Sequence, residues 1–151
     1  MNRVFRPVIL GLFGALSGCA GSSGSAKSSN DAAPPANFKE QVARGAVVYA
    51  AQCSNCHGGS GEGKPGAAPR IVGAGALPLD PPATARVRTE RFITAADVAG
   101  FVVKNMPPRA PGSLSNEDYF SVLAFDLKAN GIDLGEQKLD AALAATLTIP
   151  R

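Results

Sequence analysis

The sequence is poor in the residues from which many functional sites are built. It has no tryptophan, one histidine, three cysteines and two methionines among 151 residues. The single histidine excludes any site with two imidazole ligands from this chain. Aromatic residues make up 6% of the chain, whereas 17 glycines and 12 prolines predict much loop. A formal net charge of +3 is too small to indicate nucleic-acid binding.

The N-terminal apolar run, Val8 to Leu16, has nine residues, which are too few to cross a bilayer as a helix. Arg3 and Arg6 precede this run and small residues follow it, a pattern typical of a secretory signal. The run ends in Leu16-Ser17-Gly18-Cys19, which resembles the lipobox of bacterial lipoproteins. That resemblance implies cleavage before Cys19 and lipidation of its thiol. The alternative is an ordinary signal peptide with a chance cysteine.

The chain is therefore predicted to have four parts. Residues 1–18 form a lipoprotein signal peptide, and residues 19–37 form a lipidated cysteine with a flexible tether of mostly small and polar residues. Residues 38–131 form the folded domain, and residues 132–151 form an extension with a short helix. Because Ala20 rather than aspartate follows Cys19, the lipoprotein resemblance favours the outer membrane over the inner, on the periplasmic side.

Four stretches carry the apolar spacing or capping residues of helices. Two of them end at residues that stop a helix, a Met-Pro-Pro sequence and an Asn-Gly pair. The predicted helices run from Phe38 to Gln52 after Asn37, from Thr94 to the residue before Met106, from Ser115 to Asn130-Gly131, and from Glu136 to Ala145.

The strongest chemical signal is Cys53-Ser54-Asn55-Cys56-His57. Two cysteines three residues apart, followed directly by histidine, have the spacing for covalent haem attachment. The thiols of Cys53 and Cys56 would form thioethers with the haem vinyl groups, and His57 would be the proximal ligand of the iron.

Three other interpretations of this motif are weaker. A structural zinc site needs four nitrogen or sulfur ligands, whereas the motif supplies three and Cys19 lies in the leader. A thioredoxin-like pair requires a βαβ context, which the flanking sequence lacks. A disulfide across the tight loop is possible but leaves His57 unexplained.

The remaining candidate haem contacts lie downstream. A proximal histidine needs an acceptor for its second ring nitrogen, and the carbonyl of Pro69 is a candidate. Arg70 either contacts a haem propionate or is a solvated loop arginine. Met106 is the only methionine outside the leader, in a loop stiffened by two prolines, and is the candidate distal ligand. The alternative is an open iron with Met106 as packing.

From Asn37 to Gly131 the chain resembles a class I, mono-haem cytochrome c. Gly45 and Tyr49 precede the Cys53–His57 motif at the spacing of the family's first helix, Pro69 matches the proline that meets the proximal histidine, and Met106-Pro107 matches the distal loop. The resemblance implies an all-α, cytochrome c-like fold of three to five helices wrapped around one covalently attached haem.

The same resemblance implies that Gly45 and Tyr49 cross the final core helix near Val122 and Phe125. From the residue alone, Gly45 could equally be a tolerated helix glycine. Asp126 departs from the family pattern, which usually has an apolar residue at this position. We expect the Asp126 side chain to face solvent at the helix edge.

The second half is similar to small cytochromes c found with quinoprotein and sulfur-compound dehydrogenases. The residues that carry this likeness are Phe92 to Pro107, Pro111 to Leu114, Tyr119, Ala124-Phe125, Asn130-Gly131 and Ile132 to Pro150. Three further arginines, Arg86, Arg88 and Arg91, form a basic cluster. They are interpreted as a solvated face, with propionate pairing or partner docking as the alternative.

These observations predict an electron carrier rather than an enzyme. It would pass one electron between a periplasmic dehydrogenase and an oxidase or another cytochrome, with Lys64, Lys104 and Arg109 as charges around the contact. Its membrane contact would be the lipid on Cys19, and it would bind no nucleic acid. The alternatives are a haem enzyme or gas sensor with an open distal position, and a haem-free thiol or lipoprotein scaffold.

Overall fold

A computed structural model describes residues 33–149. The predicted signal peptide, the lipidation site Cys19 and most of the tether lie outside these residues. Within them the chain forms five helices and no strand, which confirms the all-α prediction. The helices are α1 (Phe38–Gln52), α2 (Ser54–His57), α3 (Ala95–Asn105), α4 (Asn116–Ala129) and α5 (Ala141–Thr146). No helix in this part of the chain is both long and apolar enough to cross a membrane.

The three long helices begin where capping side chains predict. Asn37 Oδ1 accepts a hydrogen bond from the backbone N–H of Glu40 at 2.9 Å, at the start of α1. Thr94 and Asp97 form a reciprocal capping box at the start of α3. Ser115 Oγ accepts from the Asp118 N–H at 3.1 Å, at the start of α4. Each cap satisfies a backbone donor that the first helical turn leaves unpaired.

The last helix is shorter than the prediction of Glu136 to Ala145. It begins at Ala141 because Asp140 is its N-cap and accepts from the Leu143 N–H at 2.8 Å. Just upstream, the Leu139 N–H donates to Gln41 Oε1 at 2.7 Å, so a tertiary bond takes the donor that a longer helix would use. The four-residue α2 was not predicted, since one turn is too short to show apolar periodicity.

α1 and α4 form the main helix pair of the domain, and they touch at Gly45. A Cβ atom on Gly45 would lie 1.9 Å from the carbonyl oxygen of Ser121 and 2.9 Å from Cβ of Phe125. One turn further along α1, the rings of Tyr49 and Phe125 pack with centroids 5.0 Å apart. The close crossing is therefore the correct interpretation of Gly45, and its nearest contact is Ser121 rather than Val122.

The C-terminal extension completes the core rather than lying apart from it. Leu139 and Ile149 are buried in the same cluster as Phe38 of α1 and Leu127 of α4. The extension is held by backbone bonds from Ala95 N–H to the Leu147 carbonyl and from Ile149 N–H to the Ile93 carbonyl, at 2.8 and 3.0 Å. It thus covers the start of α3 and the side of α1.

Replacing Leu139 with alanine is expected to lower the free energy of unfolding by about 2–5 kcal/mol, because it leaves a cavity in this core. Equilibrium urea unfolding measures the change. Val47→Ala is the matched control: Val47 is 65% exposed, so its truncation should change stability by no more than about 0.5 kcal/mol. Similar losses in the two variants would show that the extension does not contribute to the core.

Candidate haem-binding site

The turn between α1 and α2 carries two thiols and one imidazole within five residues of the chain. Cys53 ends α1, where its N–H donates to the Tyr49 carbonyl at 2.9 Å, and the His57 N–H donates back to the Cys53 carbonyl at 2.9 Å. Both Cys53 and Cys56 are free thiols, so the disulfide alternative is not formed. Burial, followed by the charge of Asp126, raises the pKa of the Cys53 thiol to about 11. This thiol is therefore protonated at neutral pH.

The ring of His57 has one nitrogen fixed and one available. Its Nδ1 lies 2.9 Å from the carbonyl oxygen of Pro69, the acceptor proposed from the sequence. Because a carbonyl oxygen can only accept, Nδ1 must carry the proton in this contact. The lone pair is then on Nε2, which is the form a metal-binding imidazole requires.

The glycine-rich loop after the motif holds Pro69 in reach of His57. Gly63 has a φ of +81°, and a Cβ atom there would lie 2.6 Å from the backbone nitrogen of Arg70 and 2.9 Å from the carbonyl carbon of Pro69. The Gly63 N–H also donates to the His57 carbonyl at 2.7 Å. A side chain at residue 63 would therefore push the Pro69 segment away from the histidine.

Asn130 stabilises the candidate site through side-chain contacts that the sequence did not predict. The sequence indicates a helix stop and a family likeness at Asn130, yet its Nδ2 donates to the Ile71 carbonyl at 2.9 Å. Its Oδ1 accepts from the Gly73 N–H at 3.0 Å. One side chain at the end of α4 thus fixes the segment that follows Pro69. No local signal reveals this role, because an Asn-Gly pair is equally common at an ordinary helix end.

Two tyrosine hydroxyls hold the segments next to His57 and Met106. Tyr49 donates to the Gly58 carbonyl at 2.7 Å, directly after His57. Tyr119, for which the sequence predicted no such contact, donates to the Met106 carbonyl at 2.8 Å. Met106 itself follows α3 and is half-buried, with its N–H bonded to the Val102 carbonyl at 2.8 Å.

The arginines near the site differ in their surroundings: one faces solvent, whereas another is held by loop carbonyls. Arg70 is exposed and donates to the Ala74 carbonyl at 3.1 Å. Arg88 is half-buried, bonds the carbonyls of Pro78 and Leu79, and lies over the Phe92 ring at 3.8 Å from its centroid. The interpretation of the cluster as a solvated face is therefore wrong for Arg88, because its guanidinium supplies several donors that loop carbonyls need.

Asp126 does not face solvent, as was expected. It is 6% exposed, and its Oδ1 has no hydrogen-bond partner in the part of the chain that the structure describes. It lies one helical turn after Val122, which is buried, so it shares the inward side of α4. Burial raises the pKa of its carboxyl to about 8.

The donor set fits a covalently attached haem. Two free thiols, Cys53 and Cys56, precede an imidazole whose Nε2 is available, and Met106 offers a thioether from a second segment. Thiol, imidazole and thioether are the groups by which c-type haem is attached and ligated. Between residues 33 and 149, no group of three or more His, Cys, Asp and Glu side chains could hold a metal ion, so the zinc interpretation gains no support.

Comparison with known proteins agrees with this chemistry. Residues 40–125 match the family model described as cytochrome c oxidase, cbb3-type, subunit III. No curated protein sequence is significantly similar to the chain. A chain in the crystal structure of the sulfane dehydrogenase SoxCD from Paracoccus pantotrophus has a similar fold, with a TM-score of 0.54 and 23% identity. The likeness covers 80% of this chain and 61% of that chain.

Proposed function

Because the chain belongs to the cbb3 subunit III family of cytochrome c domains, a haem-containing group of electron carriers, we propose that it carries single electrons through one c-type haem. Cys53 and Cys56 would attach the haem, and His57 and Met106 would ligate its iron. When bound, it supplies a reversible one-electron couple. The observation that carries this proposal is the His57–Pro69 contact, which leaves Nε2 of His57 as the free nitrogen, in a turn that also carries two free thiols.

The chain's own residues hold the two segments that would supply the iron ligands. Pro69 holds the proton of His57 on Nδ1, and Tyr49 and Gly63 fix the backbone on either side of that bond. Tyr119 holds the backbone of Met106. Because the His57 ring and the Met106 backbone are held in advance, these residues would need little rearrangement when an electron is transferred. Two protein ligands would also leave no position for a substrate, which separates a carrier from a haem enzyme.

A spectroelectrochemical titration of the purified holoprotein tests this function. We expect one reversible one-electron transition and no carbon monoxide binding to the reduced protein at neutral pH. Rapid binding of carbon monoxide would support the alternative, a haem enzyme or gas sensor with an open distal position. The absence of any reversible transition would rule out the carrier.

Tyr119→Phe is expected to loosen the Met106 segment. Loss of the hydroxyl removes one hydrogen bond and should lower stability by about 0.5–1.5 kcal/mol. It should also make slow carbon monoxide binding detectable in the reduced protein, because Met106 can leave more often. Stopped-flow mixing measures the binding rate. Tyr49→Phe is the control, since it removes a comparable bond on the His57 side and should leave carbon monoxide excluded. Equal binding by both variants would contradict a specific role for Tyr119.

For partners, the proposal is a dehydrogenase as donor and an oxidase or another cytochrome as acceptor. What supports a dehydrogenase is the similar fold in the sulfane dehydrogenase structure. Lys64, Lys104 and Arg109 are exposed and available for such a contact. The location proposed is the periplasm. A lipid on Cys19 would hold the protein at a membrane, and the outer membrane is favoured over the inner membrane. Its support is the lipobox-like sequence Leu16-Ser17-Gly18-Cys19.

A further inference from the structure

Asp126 is a buried acid that has no part in the proposed attachment or ligation of the haem. Only 6% of the surface of Asp126 is exposed to solvent, and its Oδ1 has no hydrogen-bond partner among the described residues. Burying an ionised carboxylate without partners costs far more than burying the neutral acid. The side chain is therefore mostly protonated at neutral pH, and it stands ready to ionise if a positive charge develops nearby.

Electrostatics and the contacts of neighbouring groups place Asp126 near the turn that holds Cys53. Burial, followed by the charge of Asp126, raises the pKa of both Tyr49 and Cys53, so the carboxyl is within electrostatic reach of each. The preceding residue, Phe125, packs on the Tyr49 ring at 5.0 Å between centroids. The Asp126 carbonyl accepts from Asn130, whose amide also bonds Ile71 in the segment after Pro69. The Asp126 carboxyl thus lies among the residues that support the candidate haem site.

The two described residues whose pKa the charge of Asp126 raises, Tyr49 and Cys53, do not change charge near pH 8. Of the groups from α1, Tyr49 has a pKa raised to about 12 by burial, and Cys53 loses its proton altogether once it forms a thioether. α3 also packs on α4 but contributes no charge that shifts Asp126. Burial is the only cause of the raised pKa of Asp126, so no cation in the described chain holds it ionised.

Resting on the haem site proposed above, we propose that Asp126 couples the binding of one proton to the electron that this protein carries. On oxidation, one electron leaves to the acceptor protein and the site gains one positive charge. That charge favours the carboxylate, so the O–H bond of Asp126 breaks and its proton passes to solvent. On reduction, one electron comes from the donor protein and one proton returns from solvent to the same carboxylate. Charge and protons balance in both directions.

The coupling has a defined sign. Above the titration of Asp126, the carboxylate stabilises the oxidised protein, so the midpoint potential falls as pH rises. Full coupling changes the reduction equilibrium tenfold per pH unit, which is 59 mV for a one-electron couple. Asp126→Asn keeps the shape of the side chain but cannot ionise. Its midpoint potential should therefore match the wild type at low pH and exceed it at high pH.

The test is a spectroelectrochemical titration of the holoprotein at a series of pH values on both sides of 8. Wild type should show the fall in potential, and Asp126→Asn and Asp126→Leu should both lack it. Asp133→Asn is the control, because Asp133 is an exposed carboxylate paired with Lys128 at the end of α4. It should keep the wild-type pH profile. The same profile in Asp126→Asn as in wild type, or a flat wild-type profile, would overturn the proposal.

A second measurement separates this inference from the proposed function. Infrared spectroscopy should show the C=O stretch of a protonated carboxylic acid at pH 6 in wild type, and its loss in Asp126→Asn. Absence of that band from the wild type would overturn the role of Asp126 even if the protein is a good electron carrier. If the band is present but no reversible one-electron couple exists, the carrier function fails and the coupling fails with it.

Discussion

Replacing Met106 with alanine is expected to change the reduced protein from one that excludes carbon monoxide into one that binds it rapidly. In the proposed site His57 and Met106 would both ligate the iron, so a small exogenous ligand would have no place to bind. Alanine has no atom that can ligate, and Met106 is the only methionine among the described residues. The midpoint potential should also fall, because thioether ligation raises it.

Stopped-flow mixing of the reduced holoprotein with carbon monoxide measures this change directly. Val103→Ala is a suitable control, because Val103 lies in α3, shortly before Met106, and is partly exposed. Its truncation should leave carbon monoxide excluded. A wild-type protein that binds carbon monoxide as quickly as Met106→Ala would show that Met106 is packing rather than a ligand.

A large loss of stability is expected from any side chain at Gly45. Helix propensity alone would favour alanine over glycine by about 1 kcal/mol. The Cβ atom, however, would lie 1.9 Å from the carbonyl oxygen of Ser121, a backbone atom that cannot turn aside. α1 and α4 would have to separate along the main packing contact of the domain. We therefore expect Gly45→Ala to lower stability by roughly 3 kcal/mol and Gly45→Val by more.

Gly100→Ala provides the matched comparison in α3. Nothing lies within 4 Å of the position that its Cβ would take, so only the propensity term applies. Urea unfolding should show a gain of about 0.5–1 kcal/mol for this variant and a large loss for Gly45→Ala. A gain in both variants would mean that α1 and α4 do not cross closely at Gly45.

The parts of this protein that depend on local chemistry could be predicted from the sequence. Asn37, Thr94 and Ser115 cap the helices that follow them because each satisfies a donor within its own turn. The spacing of Cys53, Cys56 and His57 likewise needs only five residues to define its chemistry. Pro69 was found only through the family resemblance and the general need of a ligating histidine for an acceptor.

What the sequence did not predict depends on distant contacts. The start of α5 is shifted because the backbone of Leu139 bonds Gln41, which is far away in the chain. Asn130 holds the Ile71 carbonyl through a side chain that looks like an ordinary helix stop. Asp126 was expected in solvent because charged side chains are rarely buried, and only the packing of α4 shows otherwise. Each error concerns a tertiary contact that no local pattern encodes.

The central claim is that Cys53 and Cys56 hold a haem covalently. The mass of the polypeptide after denaturation and acid–acetone extraction tests it most directly, with protein produced in a host that attaches haem to cysteine pairs. Non-covalent haem is removed by this treatment, whereas thioether-linked haem stays on the chain. We predict a mass increase of one haem for wild type and none for the double variant Cys53→Ser/Cys56→Ser. A colourless wild-type polypeptide with the mass of the bare chain would contradict the account.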